Sequence, residues 1–298
     1  MKIFITGATG YLGGSIATKL IARGHTVLGL VRSPAKAEQL SGMGVIPVMG
    51  SLDDVDALKL GASQSDATIN AADADHYNAI RALIEILAGT GKTLIHTSGS
   101  SIVVDDAGGE FAGDSIFSDD QNFTPMLHRI PRIAIDRMVR SAGINDGIRT
   151  CVICPSMVYG KGLGLKSESD QIPKLTQKAK DLGYGVYIGN GANIWSNVFI
   201  GDLVDLYLVA LDKAPSASFF YAENGEASMK DLAQSISLSL GYDGQVKSWG
   251  VDDAYRELGP FARVALATNC RVRASNARNL LGWEPVGPSV RDALISGS

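Results

Sequence analysis

Short apolar runs alternate with amphipathic stretches through the first half of the chain. Strands are predicted at Lys2–Thr6, Thr26–Val31, Val45–Val48, Ala67–Asn70, Thr93–Thr97 and Arg149–Ile153. Between them the apolar spacing predicts helices at Ser15–Arg23, Ala35–Met43, Asp54–Gly61, Tyr77–Ala88 and Ile133–Ala142. Near-continuous apolar strands separated by helices imply a parallel sheet covered on both faces. A seventh strand is predicted at Ser218–Ala222, after a helix at Asp202–Lys213. Past the glycine-rich Gly160–Gly164 the rhythm ends, and Lys166–Ser196 and Ala227–Ser298 carry shorter, mixed segments.

The first strand runs straight into Thr6-Gly7-Ala8-Thr9-Gly10-Tyr11-Leu12-Gly13, followed by a helical pattern. So tight a turn needs backbone that tolerates positive φ and carries no side chain, and it lets a pyrophosphate rest on the N–H groups of the helix start. Strand, loop and helix in this order make the glycine triplet specific for a dinucleotide. The expected fold is therefore α/β, a Rossmann doubly wound parallel sheet with a smaller C-terminal substrate-binding cap. Residues 1–162 plus 197–223 form the dinucleotide-binding part, and 163–196 plus 224–298 the cap.

Composition narrows the picture. The 298 residues are 45% hydrophobic and 19% charged with a net charge of −4, ordinary globular values that argue against a nucleic-acid partner. No apolar stretch is long enough for a membrane span. Because Ile3–Ile5 runs directly into the glycine loop, no signal peptide is read, and a cytoplasmic protein is expected. Cys151 and Cys154 lie three apart on a predicted strand and so point to opposite faces; with Cys270 they are expected to pack rather than bind metal. The four histidines have no zinc-ligand spacing, so no metal is expected.

At the end of the second strand, a site specific for NAD would place an acid on the adenosine ribose. Here the chain reads Val31-Arg32-Ser33-Pro34-Ala35-Lys36. The planar fork of Arg32 suits a ribose phosphate, and Ser33 and Lys36 could add donors, so the expected cofactor is NADP(H). The alternative is a solvated surface arginine.

Several motifs now stand in order along nearly the whole chain. After the glycine loop come Asn70-Ala71-Ala72, His96-Thr97-Ser98-Gly99-Ser100-Ser101, Pro155-Ser156-Met157-Val158-Tyr159-Gly160, the pair Val198 and Asp202, and Ser275–Pro285. This set resembles the extended or atypical branch of the short-chain dehydrogenase/reductase superfamily. The resemblance implies that Ala71 and Ala72 line the cofactor diphosphate and ribose, that Pro155, Ser156 and Val158 contact the nicotinamide, and that Ser51 and Leu52 flank the adenine. Relatives often carry Asp where Ser51 stands.

Relatives also carry Tyr-x-x-x-Lys in the helix after the fifth strand, the phenol exchanging a proton with the substrate and the lysine lowering its pKa. None of the nine tyrosines here has lysine four residues on. The surroundings, Pro125 before and Asp136–Arg140 behind, place His128 at the tyrosine position and Arg132 at the lysine position. Pro131 between them predicts a helix beginning near Ile130. Arg132 can hold ribose hydroxyls but carries no exchangeable proton below pH ~12. His128, with an ordinary pKa of about 6.5, can act as the acid; alternatively it only touches the substrate, and water or a substrate phenol gives the proton. The serine that polarises the carbonyl in relatives falls on Gly99, so Ser98 or Ser100 is the candidate.

For the substrate pocket the candidates are Met126, Leu127, Tyr159, Ile188, Trp195, Asn197 and Phe199, largely apolar or aromatic. A nucleotide sugar would call for paired cations on its diphosphate, and Lys161, Lys166, Arg263, Arg271 and Arg273 are dispersed. The expected activity is NADPH-dependent reduction of a bulky, apolar, aromatic ketone by a monomer or homodimer, and the chain is similar to ketoreductases of aromatic polyketide biosynthesis. The competing readings are a nucleotide-sugar epimerase or dehydratase and a non-catalytic NADP-binding regulator.

Overall fold

The computed structural model describes residues 1–119 and 121–297. Seven strands form one sheet: β1 (Lys2–Thr6), β2 (Thr26–Val31), β3 (Ile46–Met49), β4 (Ala67–Asn70), β5 (Thr93–Thr97), β6 (Arg149–Pro155) and β7 (Ser218–Ala222). Their spatial order is β3-β2-β1-β4-β5-β6-β7, and every pairing is parallel. The order reverses between β1 and β4, which opens a crevice at the carboxyl ends of the strands, where ligands of such sheets bind. Central strands β1, β4 and β5 are almost wholly buried, as their unbroken apolar runs require.

Six helices complete the crossovers: α1 (Tyr11–Ala22), α2 (Pro34–Gly42), α3 (Val55–Ser63), α4 (Tyr77–Leu87), α5 (Ile130–Asn145) and α6 (Ile200–Lys213). Helix α1 begins at Tyr11 rather than Ser15 because Gly13 and Gly14 lie inside its first turns, where apolar periodicity gives no signal. Helix α5 begins at Ile130 with Pro131 in its first turn, as the proline predicted, and it extends to Asn145, past the expected end. Strand β6 runs on through Cys154 to Pro155. Cys151, Cys154 and Cys270 are buried free thiols.

The second half adds small sheets instead of βαβ units. Ile194–Phe199 pairs with Gly225–Ser228 and Met157–Tyr159, Gly185–Ile188 pairs with Val246–Trp249, and Val272–Arg273 pairs with Phe117–Ser118. Asp202 in the first turn of α6 ties down the chain end: its carboxylate accepts the backbone N–H of Val286 (3.0 Å) and Gly287 (3.0 Å) and the amide of Asn224 (2.8 Å). The Trp283 indole donates to the Asp202 carbonyl at 2.8 Å. One continuous apolar core joins these parts to the sheet. Among the described residues no helix is long and apolar enough to cross a membrane.

Polar side chains at the carboxyl edge are buried and bond one another in two groups, which meet at a longer His96–Asp136 contact. Thr6 Oγ1 donates to Asn70 Oδ1 (2.5 Å), and Asn70 Nδ2 donates to His96 Nδ1 (3.1 Å). That leaves the ring proton of His96 on Nε2, which faces Asp136 Oδ1 of α5 across 3.5 Å. The other Asp136 oxygen accepts the Ser98 hydroxyl at 2.7 Å. Burial drives His96 down to about 4 and Asp136 up to about 7; the Ser98 hydroxyl and Arg132 pull Asp136 partly back.

The two shifts act oppositely on stability. Between about pH 4 and 6.5 the unfolded chain takes up the His96 proton that the folded chain refuses, so stability rises with pH. Between about pH 4 and 7 the folded chain keeps the Asp136 proton that the unfolded chain has lost, so stability falls with pH. Asp136→Asn removes the second effect. Its stability relative to the wild type, measured by urea unfolding, is expected to improve by roughly 2–3 kcal/mol from pH 5 to pH 8. A constant or shrinking difference would refute the assignment.

Candidate active site

Backbone contact builds the dinucleotide end. Gly7, at φ +79°, lies so close to the β4 exit that a Cβ there would stand 2.6 Å from the Ala71 carbonyl oxygen. A Cβ on Gly13 would stand 2.3 Å from the Gly7 oxygen. Helix α1 therefore starts directly over the strand end, with neither a side-chain cap nor an acid in its first turn. Its N–H groups are left to an anion.

A cleft of about 430 Å³ opens over this turn. It brings together eight of the predicted cofactor residues: Gly7, Thr9, Gly10, Arg32, Ser51, Leu52, Ala71 and Ala72. Arg32 is exposed there and, among the described residues, makes no hydrogen bond or ion pair. The cleft also contains Asp53, Asp73 and His76, which sequence reasoning missed; His76 Nε2 lies 3.2 Å from Asp53 Oδ1. The open volume, the uncapped helix start and the bare glycine backbone fit a dinucleotide. Asp53, two residues past Ser51, restores acidity to a segment in which relatives carry Asp.

The remaining cofactor candidates stand elsewhere. The Tyr11 hydroxyl donates to the Gly160 carbonyl at 2.8 Å, holding the glycine-rich return loop onto α1, and Leu12 and Gly13 follow it inside the helix. Ser33 caps α2 by accepting the Lys36 N–H, and the Lys36 ammonium donates to Gln39 at 3.1 Å. Neither residue lines the cleft, so Ser33 and Lys36 stand beside Arg32 in sequence while the structure gives them helix-capping and neighbouring contacts. Pro155 ends β6, Ser156 donates its hydroxyl to the Ala222 carbonyl (2.8 Å), and Val158 lies in the next short strand; none of the three lines this cleft.

At the other end, Arg132 is clamped. Its Nε donates to Asp75 Oδ1 at 2.8 Å, Nη2 to Asp75 Oδ2, and Nη1 to Ser101 Oγ at 3.0 Å. The guanidinium holds the Asp75 carboxyl below the usual carboxylate range. A Cβ on Gly99 would sit 3.2 Å from Arg132 Nη1, so the arginine fills the space beside that position. Half-buried Arg129 points toward the same charges, and its buried Nε has no hydrogen-bond partner among the described residues. His128 lies exposed in the short turn Leu127–Arg129 before α5. Among the described residues nothing hydrogen-bonds its ring.

The serine expectation is also corrected. Ser98 is buried against Asp136, and Ser100 is buried with its oxygen accepting the Cys270 thiol at 3.1 Å. Ser101, overlooked in the sequence, is the partly exposed hydroxyl on Arg132. Of the pocket candidates, Tyr159, Ile188, Trp195 and Asn197 are interior. Tyr159 donates to the Pro288 carbonyl (2.6 Å) and Trp195 to the Thr268 carbonyl (2.7 Å), while Asn197 and Ile188 sit in paired strands. Phe199 is half-buried against Tyr159, with ring centroids 5.9 Å apart. These five hold the fold together, which leaves Met126 and Leu127 at the surface beside α5. Their apolar character signalled burial, and burial here means core.

Comparison with known proteins agrees with this geometry. Residues 3–219 match the family described as NAD dependent epimerase/dehydratase. An oxidase from Acremonium sp. named ucsJ is 32% identical over 96% of this chain and 93% of its own. A 4-hydroxy-2-methyl-3-oxo-4-farnesyl-3,4-dihydroquinoline-1-oxide ketoreductase from Stigmatella aurantiaca is 22% identical over 76% of this chain and 69% of its own. Among solved structures, a dTDP-glucose 4,6-dehydratase from Bacillus anthracis in complex with NAD superposes with a TM-score of 0.79 at 14% identity, over 99% of this chain and 94% of that one. The chain belongs to the NAD dependent epimerase/dehydratase family and is an NAD(P)-dependent oxidoreductase.

Proposed function

We propose that the protein is an NADPH-dependent ketoreductase for a bulky, largely apolar ketone. The observation that carries this reading is the state of the cap's cations. Arg271 and Arg273 both bond Glu226, Arg263 pairs with Asp252, and Lys166 pairs with Asp170. A nucleotide sugar is best held by paired, unengaged cations on its diphosphate; here the cations are spread over three separate carboxylates, with Glu226 serving two of them and Lys161 standing apart. The relative named as a ketoreductase of a farnesylated quinoline oxide acts on an apolar ketone, which supports the same substrate class.

NADPH is favoured over NADH by Arg32. Its guanidinium stands unpaired in the dinucleotide cleft, at the end of β2, where a ribose phosphate would sit. When bound, the reduced nicotinamide supplies the hydride. Arg132 orients the nicotinamide ribose, and Asp75 and Ser101 hold its fork in place. The Ser101 hydroxyl accepts from Arg132, which leaves its own proton free to polarise the substrate carbonyl. Of the three proton sources, water or an acidic substrate hydroxyl fits better than His128, because an effective general acid is oriented by a partner and this ring has none.

Two measurements test the reading. Arg32→Ala should weaken NADPH binding by about tenfold or more in a fluorescence titration and change NADH binding little, since only the former loses a bidentate phosphate contact. Equal losses would sink the phosphate assignment. His128→Phe should lower kcat on a quinone-type ketone by less than about tenfold, roughly 1.4 kcal/mol of barrier. A drop of orders of magnitude, with loss of the acid limb of the pH–rate profile, would make His128 the acid after all.

A further inference from the structure

A second cavity, of about 250 Å³, lies on the flank of α5 and shares no lining residue with the dinucleotide cleft. Asp136, Arg137 and Arg140 of α5 form one side, Phe219 and Tyr221 of edge strand β7 another, and Phe123 of the approach to α5 a third. The Phe219 and Tyr221 rings meet edge to face at 5.0 Å, a stiff aromatic wall.

The charges in this cavity are arranged from inside to outside. Asp136 is 4% exposed, and its Oδ1 has no hydrogen-bond partner among the described residues. At the mouth Arg137 is exposed and, among the described residues, makes no hydrogen bond or ion pair. Among the described residues Arg140 donates its Nε to the Ala217 carbonyl at 2.9 Å, and its two Nη groups make no other hydrogen bond there. Asp119, buried on the wall, lies on the inner side with Asp136, its oxygens accepting the backbone N–H of Tyr221 (2.5 Å) and Asn276 (2.7 Å).

This combination selects a ligand class. Two guanidinium forks at the mouth match a planar anion and repel an ammonium group. Aromatic walls call for a flat ring, which inorganic phosphate lacks. The volume lies below the ~300–1,000 Å³ of drug-sized pockets, so it admits only a small molecule. We propose that the cavity binds a one- or two-ring aromatic carboxylate, its ring between Phe123 and the Phe219–Tyr221 pair and its carboxylate on Arg137 and Arg140. The occupant lies against Asp136, which bonds Ser98 and stands one helical turn from Arg132, so the cavity adjoins the polar groups beneath the active site.

Isothermal titration of the full chain with naphthoate tests this. Saturable single-site binding is expected, at least about tenfold weaker for neutral naphthamide and for the Arg137→Glu variant, each of which loses the charge-assisted contact. NADPH binding to that variant should be unchanged, which also shows that it is folded. Arg137→Gln provides a second, milder variant with a smaller loss. No saturable binding up to the solubility of naphthoate, equal affinity for the amide, indifference to Arg137, or competition with NADPH would each overturn the proposal.

Discussion

The close approach of three backbone segments at Gly7, Gly13 and Ala71 is the constraint on which the rest depends. Side chains at Gly7 or Gly13 would collide with backbone, at 2.6 and 2.3 Å, and backbone cannot rotate away as a rotamer can. Helix α1 is thereby set directly above the β1–β4 boundary, where the strand order reverses. The cleft exists because this turn is thin. The uncapped helix start, the hollow above Ala71 and Ala72, and the path of the chain into β2 and Arg32 all follow from it.

A second consequence falls at the neighbouring strand ends. A parallel sheet buried on both faces leaves polar groups at its carboxyl edge with little water to bond, and each must find a partner in the protein. Thr6, Asn70 and His96 solve this as one bonded group and Ser98 with Asp136 as another, the two facing each other across 3.5 Å without a hydrogen bond. That solution consumes Ser98, and the Cys270 contact consumes Ser100. Just outside the edge, Ser101, Arg132 and Asp75 form a separate bonded group that is only partly buried. Structural satisfaction and catalysis compete for the same few hydroxyls, and burial decides which each one serves.

The readable parts of the sequence were those fixed by backbone sterics and periodicity. The seven strands, the glycine turn and the proline-marked start of α5 are local consequences of local residues. Arg32 was legible because it follows a strand whose end is located by its apolar run. Asp75 was not: its role depends on Arg132, which lies 57 residues away in sequence and reaches it only after β4 and α5 are placed. Trp195, Ile188 and Asn197 failed as pocket walls for a related reason, since an aromatic or amide in a short segment reads alike whether it faces a cavity or the core. Ser33 illustrates a second ambiguity, since a hydroxyl at a helix start reads alike as a cap and as a ligand donor, and here it caps α2.

Exchanging lysine for arginine at position 132 alters the electrostatics of the centre as well as the hydrogen bonding. A lysine beside a tyrosine acts partly by favouring the phenolate. With no tyrosine at position 128 that task is gone, and the planar fork instead binds Asp75 through two nitrogens and keeps its third donor on Ser101. The Arg132–Asp75 pair is internally neutral. Arg129 stands beside it with its charge only partly balanced by the same carboxylate. Asp136, one turn further along α5, acts on Arg132 as well, so the guanidinium is fixed between two carboxyl groups in a partly buried setting, where charges interact more strongly than in water. On the ketoreductase reading proposed above, a fixed guanidinium in this place would serve the charge that develops on the carbonyl oxygen. The proton could then come from outside the side chains, which is how a reductase could do without its tyrosine.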